Sequence, residues 1–86
     1  MQNSAELKAR IRAVVAQHAR LAAGVDGLKD DGDLYEAGLT SLTTVNLMLA
    51  LEDHFNVEFA DNMLSRKTFA SIESLAEAIE ELLAAA

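Results

Sequence analysis

Apolar side chains recur at helical spacing in three stretches of the chain. In the first, Leu7, Ile11, Val14, His18 and Leu21 fall on one face. Asn3 followed by Glu6 forms a capping pair, so the spacing predicts a helix from Ser4 to Ala22. The second stretch begins at Ser41 and carries Leu42, Val45, Met48, Leu49 and Phe55, with Leu47 and Leu51 widening the stripe. A helix apolar over so much of its circumference is expected at the centre of the molecule, so that aspartate at Val45 or Leu51 would collapse it. The third stretch takes Ser71 as N-cap and carries Ile72, Leu75, Ile79 and Leu82 or Leu83. Between the last two, Phe59 to Phe69 is too short for a long helix, and Asp61 to Leu64 has room for one or two turns. The expected fold is all-α: a four-helix bundle with three longer helices, one short helix and a long ordered loop between helices one and two.

That loop is marked by glycine. Proline is absent, and all four glycines (Gly24, Gly27, Gly32, Gly38) lie in one short stretch between strong helix formers. Val25, Leu28, Leu34, Tyr35 and Leu39 recur along it and are expected to pin it to the helices. A structureless connection this long is usually functional or disordered, and one pinned in this way presents its last residues at a fixed place. Those residues lead into Ser41, at the start of helix two. There Ser41 has two readings. It can be a helix cap, or its hydroxyl can carry a phosphate at the positive end of the helix dipole. No Gly-x-Ser-x-Gly elbow surrounds it, and neither His18 nor His54 is placed as a base, so a hydrolase is poorly supported.

Composition removes other classes. The chain has 86 residues and a net charge of −7, from 14 acids against 7 Lys and Arg. This length suits a single domain spanning 1–86, and the charge argues against nucleic acid or anionic membrane as a partner. Without cysteine there is no disulfide, thiolate metal site or cysteine nucleophile. No apolar run is long enough for a membrane span, and Met1 to Arg12 lacks the apolar stretch of a secretory signal. A cytoplasmic, monomeric, non-enzymatic domain is expected. Asp30, Asp31, Asp33 and Glu36 fail the EF-hand pattern, since Tyr35, Glu36 and Leu42 would stand at positions five, six and twelve. They are read as loop solvation, Glu73, Glu77, Glu80 and Glu81 as a solvated face, and Met48 and Met63 as core fillers. His18 is read as a packed or boundary residue and His54 as a partner of the helix dipole.

The run from Asp33 through Gly38-Leu39-Thr40-Ser41-Leu42, followed by Val45, Leu51-Glu52 and Phe55, resembles the acyl carrier protein family. The later Val57-Glu58-Phe59, Asp61 and Phe69 to Leu75 also match its pattern. The resemblance implies a bundle of acyl-carrier type with 4′-phosphopantetheine attached covalently to Ser41 by a phosphopantetheinyl transferase. It favours attachment over capping. The family usually has aspartate where Thr40 stands, and members serving fatty acid synthesis tend to carry acids where this chain has Thr43 and Asn46. The run from Glu58 to Phe69 is similar to stand-alone aminoacyl carrier proteins, which receive a small amino acid from an ATP-dependent ligase related to seryl-tRNA synthetases. Thr40, Leu42, Val45, Arg66 and Lys67 are the candidate partner contacts, the last two being the only basic residues after Lys29. Fatty acyl, polyketide or peptidyl carriage is the alternative within the family. A helical adaptor that is never modified is the alternative outside it.

Overall fold

A computed structural model of the chain describes residues 4–19, 21, 24 and 27–85. Three α-helices and one 3₁₀ turn follow in the order α1 (Ser4–His18), α2 (Ser41–Phe55), the 3₁₀ turn (Asp61–Met63) and α3 (Ile72–Ala85), with no strand among the described residues. The short helix expected after Phe59 is therefore a three-residue turn. Ala60 before it offers no side-chain cap, so nothing extends it.

α1 ends at His18, short of the predicted Ala22, which lies outside the described residues together with Asn3 and Val25. Gly24, at φ +74°, donates its N–H to the Leu21 carbonyl at 3.1 Å, a turn bond in place of a further helical one. The buried face of α1 is Leu7, Ile11, Val14, Val15 and Ala19, whereas His18 is exposed. Val15, one step around from Val14, takes the place assigned to His18.

The helix that packs extensively against both of the others is α1, rather than the expected α2. On α2 only Leu47, Leu51 and Phe55 are buried, a narrow i, i+4 line. Leu42, Val45 and Leu49 are 73%, 50% and 54% exposed, so the broad apolar stripe is split between the core and the surface. Aspartate at Val45 therefore does not test the core, while Leu51 does. α3 buries Ile72, Leu75, Ala76, Ala78 and Ile79 and leaves Glu73, Glu77, Glu80 and Glu81 exposed.

The connection into α2 is held by backbone bonds to the start of α3. The Leu34 N–H donates to the Ala70 carbonyl at 2.7 Å, and the Glu73 N–H to the Asp30 carbonyl at 2.8 Å. Leu34 and Leu39 are buried, and Arg12 pairs with Asp30 at 2.8 Å. The Asp33 carboxylate accepts the Tyr35 N–H at 2.8 Å, an Asx turn that gives this acid a structural role. Gly38, at φ +125°, then turns the chain through backbone space that side chains disfavour and delivers Leu39-Thr40-Ser41. On the far side of α2, Asn56 closes the helix in the left-handed conformation at φ 55°. The Glu52 carboxylate reaches forward to accept the Phe59 N–H at 2.8 Å. The rings of Phe59 and Phe69, both buried, lie 5.4 Å apart and close the segment between α2 and α3.

Candidate functional site at the start of α2

The first turn of α2 is built by two threonines. Thr40 is the N-cap, in extended conformation at φ −110° and ψ 171°. Its Oγ1 accepts the Thr43 N–H at 3.2 Å, and its own N–H donates to Thr43 Oγ1 at 2.9 Å. This reciprocal box satisfies two of the amides that a helix start leaves open. The Thr44 N–H and hydroxyl both reach the Thr40 carbonyl, at 2.8 and 2.7 Å.

Ser41 is thus the first helical residue and not the cap. Its side chain is exposed and has no hydrogen-bond partner among the described residues, and the Ser41 and Leu42 amides are likewise unspent. The capping role that competed for Ser41 in the sequence belongs to its neighbour. An exposed hydroxyl on a rigid first turn, beside two open amides and the positive end of the helix dipole, is a favourable seat for a phosphodiester. The dipole contributes about 0.3–1 kcal/mol to an anion at such a place.

Ser41 also lines a cavity of about 440 Å³ whose other walls include Tyr35, Val45, Met48, Leu64, Arg66 and Phe69. Thr44 and Ser65 complete a mostly apolar lining, and the carbon of the Arg66 guanidinium lies 4.0 Å from the centre of the Tyr35 ring. An extended, partly apolar substituent on the Ser41 hydroxyl has room here. The candidate residues thus divide. Ser41, Val45 and Arg66 share one cavity, whereas Lys67 lines a separate one beside Thr68, Glu77 and Glu81. Leu42, at 73% the most exposed of the large apolar residues, lines neither. Tyr35, Met48, Leu64 and Phe69 were not among the candidate site residues. Their contribution depends on a loop, a helix and a turn meeting, and no local motif in the sequence signals it.

Of the two acids on α2, Glu52 is half-buried and engaged by the Phe59 amide, while Asp53 is exposed. Beside Ser41, threonine hydroxyls occupy the cap positions where carboxylates would also serve as caps.

A helical scaffold that contributes an unengaged hydroxyl at a helix start, with room beside it, is suited to bearing an appended arm. The chain matches the family described as "Phosphopantetheine attachment site" over residues 9–79 and belongs to that carrier protein family, whose cofactor is 4′-phosphopantetheine. It is 43% identical over 77 residues to an aminoacyl carrier protein of Agrobacterium fabrum, covering 90% of this chain and 93% of the relative. Among solved structures it is similar to the carrier protein from Agrobacterium tumefaciens in a crystal structure with an engineered Bradyrhizobium japonicum glycine:[carrier protein] ligase and ATP. The TM-score there is 0.84 at 43% identity, covering 87% of this chain and 97% of the other. A second likeness is to the cognate carrier protein bound to the Bradyrhizobium japonicum ligase with an analogue of glycyl adenylate. Its TM-score is 0.77 at 26% identity, covering 88% and 97% of the two chains. No helix among the described residues is long and apolar enough to cross a membrane.

Proposed function

We propose that the chain is an aminoacyl carrier protein, with 4′-phosphopantetheine attached to Ser41 Oγ and a small amino acid as its cargo. The observation that carries the attachment site is the exposed, unbonded Ser41 hydroxyl, released from capping by Thr40 and opening on the 440 Å³ cavity. A phosphopantetheinyl transferase modifies it: the Ser41 oxygen attacks the phosphorus of a nucleotide-linked phosphopantetheine donor, the donor's P–O–P bond breaks, the nucleotide phosphate leaves, and the serine proton passes to the transferase. The attached arm supplies a terminal thiol, which the protein itself lacks, to hold the aminoacyl group as a thioester. The domain, one carrier unit across residues 1–86, works as a monomer in the cytoplasm. It contributes a rigid base, a tether that raises local concentration, and a surface for its partners. It is not itself an enzyme.

The loading partner is an ATP-dependent amino acid–carrier protein ligase of the kind related to seryl-tRNA synthetases. The glycine:[carrier protein] ligases seen with carriers similar to this chain support that reading. The surface beside Ser41 supports it as well. Thr40, Thr43 and Asn46 are neutral, so a basic enzyme surface finds little charge to read along the first turns of α2. Leu42 and Val45, both exposed, offer apolar contacts instead, flanked by Thr40.

Intact mass after co-expression with a broad-specificity phosphopantetheinyl transferase tests the attachment. One arm is expected on the native chain and none on Ser41→Ala. An unmodified native chain would reduce the domain to a helical adaptor. Holo protein is then offered glycine or alanine with ATP and a glycine:[carrier protein] ligase, and separately a malonyl donor with its transferase. Amino acid charging is expected to dominate. Efficient malonyl transfer without charging would establish the fatty acyl or polyketide alternative in its place.

A further inference from the structure

Like Arg10 over Phe55, Arg66 is seated over an aromatic ring. Among the described residues it takes part in no ion pair, although the chain carries a net charge of −7. Its guanidinium is instead seated over the Tyr35 ring at 4.0 Å, and the two residues share one cavity with Ser41. A guanidinium over an aromatic face is attracted to the ring while its N–H donors stay available to an anion. That contact restrains the side chain before any anion arrives, and the guanidinium fork suits phosphate oxygens. The rest of the lining is Val45, Met48, Leu64 and Phe69 together with Thr44 and Ser65. The cavity that Ser41 opens on thus offers a cation for an anion and a mostly apolar wall with a few hydroxyls for an extended chain. An arm tethered at Ser41 is always at high effective concentration there, so even weak contacts are populated.

We propose that Arg66, held by Tyr35, is a positioning residue for the phosphodiester at Ser41, and that it fixes the root of the attached arm along the cavity between α2 and the 64–69 segment. The proposal rests on Ser41 as the attachment point. It assigns Arg66 an internal task instead of a contact with the ligase. The ammonium of an aminoacyl cargo is repelled by this guanidinium and poorly matched to the mostly apolar wall, so the cavity holds the arm and leaves the cargo outside.

The test is phosphorus NMR of the holo protein, after intact mass has located the arm on Ser41. In the native protein the phosphodiester resonance should differ from its position in urea-unfolded holo protein. In Arg66→Gln it should move toward that unfolded position, short of it because the Ser41 and Leu42 amides and the helix dipole remain. Tyr35→Phe should preserve the native shift, and Tyr35→Ala should move it part of the way. High salt should reproduce the Arg66→Gln spectrum in the native protein. Should Arg66→Gln fail to fold, the Arg66 Nε–H resonance of the native chain answers the same question: it must shift between the apo and holo forms. A phosphorus resonance indifferent to Arg66→Gln and to salt overturns the assignment while leaving the attachment intact. So does an Arg66 signal that moves only on adding the ligase. Failure of the native chain to gain an arm overturns the attachment itself, and this proposal with it.

Discussion

Two helix starts in this protein use the same device for opposite ends. At α2, Thr40 and Thr43 exchange backbone and side-chain hydrogen bonds; at α3, Ser71 and Ser74 do the same, with both exchanges at 3.0 Å. The residue after the cap differs completely. At α3 it is Ile72, fully buried, whereas at α2 it is Ser41, exposed and without a bond. The boxes are also differently embedded. The Ser74 hydroxyl reaches back to the Thr68 carbonyl at 2.8 Å in a partly buried site, and the Glu73 amide is tied to Asp30. The threonine box is exposed and bonds only within its own turn. One start welds a loop to the core; the other stiffens a surface turn so that a hydroxyl can stand free on it.

The comparison breaks most severely at the buried partner. Ile72→Asp places a carboxylate without a counter-charge in the core and should cost several kcal/mol, close to the whole stability of a domain this size. Val45→Asp, on the exposed side of α2, should melt cooperatively near the native temperature. Circular dichroism melts of both variants check the pair, and a collapsed Val45→Asp would contradict the placement of the core. Next in size is Ser74→Ala, which leaves partly buried groups unsatisfied and should lose about 1–3 kcal/mol in urea denaturation. Thr40→Ala removes an exposed cap and should lose about 1 kcal/mol. Equal losses for these two would mean that embedding adds nothing to the serine box. The smallest effect belongs to Ser41→Ala: with no bond to lose at an exposed position, stability should stay within about 0.5 kcal/mol. The same variant should gain no arm in the mass assay, so loss of modification is read on a folded protein. A larger destabilisation would reveal a structural role for the hydroxyl.

Thr40→Asp sharpens the contrast from another side. Aspartate caps at least as well as threonine and adds a charge favourable to the dipole, so the fold should be unharmed. Combined with Asn46→Glu, it restores acids beside Ser41. Malonyl loading of the holo form should then rise if charge near the attachment point governs partner choice. No rise would place the discrimination in the 61–69 segment.

Helix starts were legible in the sequence because capping is local chemistry. Ser71 as a cap, and the glycine-delivered start at Ser41, each need only a few consecutive residues to be recognised, while the Ser74 half of the box came from the structure. Sidedness was not legible on α2. Leu42, Val45, Leu47, Met48, Leu49 and Leu51 surround much of the helix, and periodicity cannot tell which of them face inward. Packing chose Leu47, Leu51 and Phe55 because α1 lies against that line, and Leu42, Val45 and Leu49 were left outside. The end of α1 was overestimated for a related reason. Alanines and a well-spaced leucine support continued helix, but the turn closed by Gly24 takes over.

The amino-acid sequence by itself determined the all-helical class, the positions where α2 and α3 begin, and the serine that the family pattern singles out. These are properties of backbone propensity, capping and turn residues acting over a few positions. Only the tertiary structure decided which face of α2 is buried, that α1 packs most extensively against both other helices, and that Arg66 settles over Tyr35 in a cavity that Ser41 also lines. Those outcomes depend on which surfaces meet, and the energies that choose among them come from contacts between residues far apart in the chain.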